Sequence, residues 1–329
     1  MITASNFKSE ELKVSLFSDG KLDKELACDF FLRLFKPYIQ STNGRPLALM
    51  IMNDWDLFTD ENTANSVINE VLQWDGLSDI SMTADASVVY SAIVMESLNE
   101  WNKLKQNIKY DSRFLSKLDT LEDLGLEESL RDSEEVFNSQ ERKQFYRARI
   151  AKAKDEKFRK KDLGVPPIEK TLVGRANVEG IPYLYLCTSP ETCYYEVRAV
   201  YLDRVWLGRF SLKKGMSLRL VNLTPRHRSQ QLSVDSEPIA ILRNRILMNA
   251  ISKDLSIPMR RHDNAVIEYL PTQFICEYIR LVLQVDGIMF QSSLKKDGEN
   301  IVLFNADKVI CRKVQEFEVK GINIETAPI

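Results

Sequence analysis

The stretch GRANVEGIPYLYLCTSPETCYYEVR, from Gly174 to Arg198, holds the residues best suited to chemistry: Arg175, Tyr185 ten positions on, and Glu196 eleven beyond that. A guanidinium offers a planar fork for two oxyanion oxygens. A phenol presents an apolar ring with a hydroxyl at its tip, and a carboxylate sets negative charge against a developing cation. Gly174 and Gly180 allow tight backbone around Arg175 and Asn177. The alternation from Tyr183 to Cys187 predicts a strand, and Thr188-Ser189-Pro190-Glu191 has the spacing of a helix start, with Glu196 about two turns further in. A cation ahead of a strand, an aromatic within it and a carboxylate on the helix leaving it can line one cleft.

The elements that must position this cleft change character along the chain. Beyond residue 140, FYRARI, PYLYLC, RVWLGRFSL, MSLRLVNL, GIMFQS and NIVLF are short β-branched or aromatic segments, hence strands. IAILRNRILMNAISKDL and TQFICEYIRLVL interrupt them as helices, the second beginning after Pro271 with Thr272 as its cap. Before residue 140 the period is helical: Leu26, Phe30, Phe31, Leu34, Phe35 and Tyr38 form one stripe. Val67, Ile68, Val71 and Leu72, after Asn65 and Ser66, form another, and Val89, Ile93, Leu98, Trp101 and Leu104 a third. LEDLGLEESLRDSEE then reads as an exposed approach to a boundary. These patterns predict an α+β protein, with an acidic helical N-terminal domain over 1–140 and a mixed α/β domain over 141–329. Residues 222–238 are polar and long for a connection, a surface lid or a poorly ordered span.

Charge follows the same division. Residues 1–140 carry 13 Lys+Arg against 25 Asp+Glu and the remainder 32 against 22, so a nearly neutral chain pairs a −12 half with a +10 half. The basic half would attract phosphate-bearing ligands. With 44% hydrophobic and 28% charged residues the chain is expected to fold. Five cysteines without a C-x-x-C pair, and His227 and His262 far apart, give no metal cage, so no metal is expected. A charged N-terminus, the absence of a long apolar run and an odd cysteine number point to a cytoplasmic protein off the membrane. No Walker or Rossmann glycine loop appears, against an ordinary ATPase or dehydrogenase.

The Arg175, Tyr185, Glu196 series resembles the RES domain family, named for its Arg, Glu and Ser. YLPTQFICEYIR (Tyr269–Arg280), DGIMFQSS (Asp286–Ser293) and GENIVLF (Gly298–Phe304) follow in the family's order, and the resemblance covers roughly residues 142–310. It implies a fold like that of ADP-ribosyltransferases and a toxin or defence effector acting on NAD. Such a protein would destroy NAD by hydrolysis or phosphorolysis, as an NAD glycohydrolase, or move its ADP-ribose to a protein. Cleaving the nicotinamide–ribose bond builds positive charge on the sugar, which Glu196 would face. Arg175 would grip the pyrophosphate, Tyr185 would stack on nicotinamide or ribose, and Ser292, standing in the family serine position beside Ser293, would hydrogen-bond the ribose or amide. Arg147, in an aromatic-Arg pair that often opens the family, is a further ligand contact, and Asn177, Gln273 and Asn300 bind substrate amides or pin loops.

The resemblance departs from the family at Ala176 and Gln291, where an aromatic and a proline are frequent, which leaves pocket shape and substrate preference open. It implies an antitoxin or protein target as partner, and a homo-oligomer stays open. The first 140 residues resemble, weakly, HEPN-like regions, but contain no His for a nuclease centre. The rival reading is a non-catalytic RNA-, DNA- or partner-binding protein using the basic run 141–161, ERKQFYRARIAKAKDEKFRKK; solvated lysines beside a strand explain that run more simply, so nucleic acid is not an expected partner.

Overall fold

The computed structural model describes residues 2–77, 80–113, 125–153, 155–224, 232–257 and 264–323. The chain packs into two compact units, Met1–Trp101 with Arg228–Leu247, and Asn102–His227 with Met248–Ile329.

The first unit buries the first two predicted apolar stripes, whereas in the third Ile93 is exposed and Leu104 belongs to the second unit. Helix Lys24–Phe35 starts where Asp23 accepts the Leu26 amide, and helix Glu61–Val71 where Asp60 accepts the Thr63 amide, each carboxylate satisfying an otherwise unpaired donor. Asp60 thus starts the second helix ahead of Asn65 and Ser66, because it sits one position before a first-turn acid. Phe7, Phe31, Phe35, Ile51, Phe58 and Ile68 form the core, joined by Leu232 and Leu242. Two short antiparallel pairs complete the unit: β1 (Phe17–Ser18) with β2 (Lys21–Leu22), and β3 (Tyr38–Pro46) with β4 (Ser87–Tyr90). Tyr38 and Val89 belong to this second pair, where they face each other's neighbours across the ladder, and not to the helical stripes.

The second unit is built on an eight-stranded mixed sheet. Its strands are β5 (Glu134–Asn138), β6 (Gln144–Ile150), β7 (Leu184–Cys187), β8 (Arg204–Leu212), β9 (Ser217–Asn222), β10 (Gly287–Gln291), β11 (Glu299–Leu303) and β12 (Val309–Glu318). They lie in the order β12-β8-β6-β7-β11-β10-β9-β5. Only β9 and β10 run parallel among these neighbours. The protein is therefore α+β. Phe137, Phe145, Leu186, Phe210, Leu220 and Ile301 share one core, while Ala148, Cys187, Cys193, Val205 and Leu207 form another. This division follows from the alternation of side chains along each strand.

The two edge strands, β5 and β12, escape a reading by pattern. Glu134–Asn138 lies at the end of the acidic run expected to be exposed, and it is a strand because its backbone pairs with β9 from Glu134↔Val221 to Asn138↔Ser217. On β12 most side chains are exposed, so the apolar alternation that reveals a half-buried strand is absent. The helices expected near 239–255 and 272–283 span Pro238–Ser256 and Leu270–Tyr278, the latter continued by a π turn, Ile279–Leu283. Thr272 is not the cap: it lies inside the helix, and its hydroxyl donates to carbonyls rather than accepting a first-turn amide. Most of the 222–238 span, residues 225–231, falls outside the described residues, as do His227 and His262. Among the described residues no helix is long and apolar enough to cross a membrane.

Candidate active site

The loop bearing Arg175 is tied down at several points. Gln273 Nε2 donates to the Gly174 and Asn177 carbonyls at 2.8 and 3.0 Å, and the Thr272 hydroxyl to the Arg175 carbonyl at 2.6 Å. Asn177 is buried, its amide donating to the carbonyls of Leu172 and Val178 while its Oδ1 accepts the Tyr185 hydroxyl at 2.7 Å. That hydroxyl also accepts the Ala176 amide. Gly174 must be glycine here, since a Cβ would come within 2.4 Å of Asn177 Oδ1 and 2.7 Å of the Tyr185 oxygen. Burial pushes the Tyr185 phenol above its ordinary range, so it stays protonated as a donor. Arg175 then aims Nη1 at the carbonyls of Leu255 and Ser256, 3.0 and 3.1 Å away. These carbonyls end helix Pro238–Ser256, where a cation meets both unpaired acceptors and the negative end of the dipole. Nε and Nη2 make no hydrogen bond among the described residues.

The carboxylate arrives from the other side. Ser189 caps helix Pro190–Glu196 by accepting the Thr192 amide at 3.1 Å, with Pro190 in the first turn. Glu196 is the last residue of this helix. Its Oε1 accepts from the Ser292 hydroxyl at 2.6 Å and from Asn300 Nδ2 at 2.7 Å. Ser292 is itself fixed, because its oxygen accepts the amides of Leu294 and Lys295 at 3.2 Å each. Both side-chain donors converge on one oxygen, so Oε2 carries no hydrogen bond among the described residues.

These groups meet because the sheet splits. Strands β6 and β7 share one paired position, Tyr146↔Cys187, whereas β7 pairs with β11 over four. A cavity of about 340 Å³ opens between them, lined by Arg147 and Ala148 of β6, Tyr185 and Cys187 of β7, Arg175, and Glu196, with Phe290 and Asn300 closing it. Arg147 donates to the Gly164 carbonyl at 2.9 Å. Desolvation, helped by the neighbouring Arg149 charge, lowers its guanidinium to about 10. A hydrogen bond with Cys193, then burial, pushes the Cys187 thiol well up, so this lining thiol is a neutral wall and no nucleophile.

A family model for the RES domain matches residues 144–320, more than half of the chain. The protein belongs to the RES domain family. Among solved structures, a chain of the M. tuberculosis MbcT–MbcA toxin–antitoxin complex is similar at 14% identity, with a TM-score of 0.32, over 59% of this chain and 92% of that one. No curated protein matches significantly.

Within the RES domain, the cavity gathers Arg147, Arg175, Tyr185, Glu196 and Asn300 from the expected set, and Ser292 stands behind Glu196. Ser293 is exposed, and the hydroxyl facing the carboxylate is that of Ser292. Asn177 and Gln273 do not line the cavity; their amides are spent on loop backbone. Sequence reasoning missed the carbonyls of Leu255 and Ser256 that orient Arg175. A helix ending in Lys253-Asp254-Leu255-Ser256 was the available signal, with no residue type to mark its acceptors. Among the described residues no group of three His, Cys, Asp or Glu could hold a metal.

Proposed function

We propose that this RES domain is an NAD-consuming toxin or defence effector, cleaving the nicotinamide–ribose bond. The observation that carries the reading is a single cavity into which Arg175 and Arg147 bring guanidinium groups with donors unspent among the described residues, while Glu196 presents a carboxylate oxygen that accepts no hydrogen bond from them. Its volume, about 340 Å³, lies within the range of roughly 300–1,000 Å³ usual for small-ligand sites.

The chemistry follows from the charges. As nicotinamide departs, the ribose gains oxocarbenium character, and the Glu196 Oε2 charge set against it stabilises it. Ser292 and Asn300 hold the carboxylate in place so that it need not reorganise during the reaction. Arg175 supplies the Nε/Nη2 edge to the pyrophosphate, and Arg147 adds a second cation. Tyr185, held between Asn177 and the Ala176 amide, shapes the wall against which a flat ring packs. Water, phosphate or a protein side chain can accept the ADP-ribose, since all three share this first step. A toxin of this kind calls for a protein that silences it, and an antitoxin is the partner this reading expects.

Incubating the protein with NAD tests the reading: nicotinamide is released, and Glu196→Ala abolishes most of it. Retained turnover in that variant would remove Glu196 from the mechanism. NAD labelled in the adenylate half separates the outcomes, because label on protein means transfer and soluble ADP-ribose means hydrolysis.

A further inference from the structure

A second concavity in the same unit, about 530 Å³, shares no residue with the candidate active site. Its walls are the segment 139–144 leading into β6, the end of β8 with the turn after it, and Arg312 on β12. Five lining side chains are cations, Arg142, Lys143, Arg209, Lys214 and Arg312, and no lining side chain is acidic. Lys143 alone has carboxylates in reach, Glu135 at 3.8 Å and Glu141 at 3.9 Å. Among the described residues Arg142, Arg209 and Lys214 pair with no acid. Arg312 donates only to Ser211 Oγ at 2.8 Å and the Leu212 carbonyl at 3.4 Å.

The backbone brings these charges together by unusual means. Arg142 adopts a left-handed conformation, φ 53°, as does Gly215 at the tip of the β8–β9 turn, φ 76°. The Gly215 amide donates to Ser139 Oγ, locking the turn to the segment before β6. Along β12 the register with β8 shifts between Cys311 and Lys313, leaving Arg312 as the extra residue of a bulge. A bulge redirects a side chain that regular alternation would place elsewhere. Like charges drawn together, with an acid near Lys143 alone among the described residues, repel one another, so the free chain gains nothing from this arrangement and an anion would relieve it.

We propose that this cleft binds a phosphate-bearing polyanion, supplied either by the sugar-phosphate backbone of single-stranded RNA or by a free oligophosphate. Five cations exceed what one phosphate can neutralise, which favours a run of phosphates. Phe210 is the aromatic residue of the lining and is buried, so the cleft offers no platform for stacking bases and recognises charge alone. Of the basic run 141–161, only Arg142, Lys143 and the neutral Gln144 reach the cleft; Arg209 on β8, Lys214 in the turn after it and Arg312 on β12 come from far along the chain. The site stands independently of NAD cleavage.

The test uses the full chain, a fluorescently labelled twelve-residue oligouridylate read by anisotropy, and inorganic tripolyphosphate read by calorimetry. Each phosphate neutralised on a single strand contributes a slope of about −0.7 in log affinity against log salt, so three to five contacts predict roughly 20- to 130-fold weaker RNA binding at 200 mM than at 50 mM salt. The double reversal Arg209→Glu with Lys214→Glu, at two exposed positions, should weaken binding at least about tenfold with an unchanged melting temperature. RNA binding that behaves this way identifies the backbone as ligand. Tripolyphosphate binding alone, lost in the same variant, identifies a free oligophosphate. Neither ligand bound at 50 mM salt, or binding indifferent to the charge reversal, overturns the proposal.

Discussion

Asp54 in the first unit and Glu196 in the second each accept two side-chain hydrogen bonds, yet they are finished differently. Asp54 accepts the Tyr38 hydroxyl on Oδ2 at 2.8 Å and the Tyr90 hydroxyl on Oδ1 at 2.7 Å, and Trp55 donates in turn to the Tyr38 oxygen at 3.0 Å. Both of its oxygens are satisfied from within the fold. Glu196 receives both donors on Oε1, and its other oxygen faces a cavity shared with two guanidinium groups. A carboxylate with both oxygens bonded from within the fold fastens strands and helices together, whereas one with an oxygen left unbonded on a cavity can take a ligand.

Substitutions at the two acids should therefore fail in opposite ways. Glu196→Gln keeps the shape and one acceptor but removes the charge, so nicotinamide release should fall by roughly 10²–10³ while the melting temperature barely moves. A Gln variant that turns over NAD normally would break the distinction. Asp54→Ala should do the reverse: two tyrosine hydroxyls lose their acceptor, costing about 2 kcal/mol in urea denaturation, with release per folded molecule unchanged.

Finer contrasts follow from the groups behind each acid. Ser292→Ala removes one of the two donors on Glu196 and leaves the other, so kcat should drop about tenfold, equivalent to about 1.4 kcal/mol, without a change in KM. The smallest effect lies in pH. Burial raises the Asp54 pKa above the ordinary carboxylate value, against the pull of its two tyrosine bonds. A raised folded value means the native state holds the proton more tightly than the unfolded chain. The stability this contributes is complete below the unfolded pKa near 3.8 and is lost as pH rises through the folded value. Melting of the wild type relative to Asp54→Asn should thus decline as pH rises above about 4, and a flat difference would show that Asp54 titrates normally.

Much of the second unit was legible because its strands are apolar and bounded by turn residues: β6, β8, β10 and β11 lie within a residue or two of their expected places. The edge strands were not, since an exposed edge needs partner hydrogen bonds and no apolar face. The helix carrying Glu196 was legible from Ser189-Pro190, a local cap that depends on neighbours three residues apart. Thr272 misled for the same reason in reverse. A threonine after a proline looks like a cap in isolation, but the helix starts two residues earlier and turns the hydroxyl onto Arg175's carbonyl.

The chain order alone determined which residue types stand at which intervals, and from them the family, the α+β class and the roster of polar side chains available for a site. Only the folded molecule decided which of those side chains meet. The split between β6 and β7, a feature of strand pairing across some forty residues, creates the cavity and admits Arg147 to it. Tertiary folding also set Ser292 apart from Ser293, spent Asn177 and Gln273 on the loop, and gathered cations from three distant segments into the basic cleft. Local signals arise from backbone and neighbours within a turn or two, whereas convergence depends on the register of strands brought together from afar.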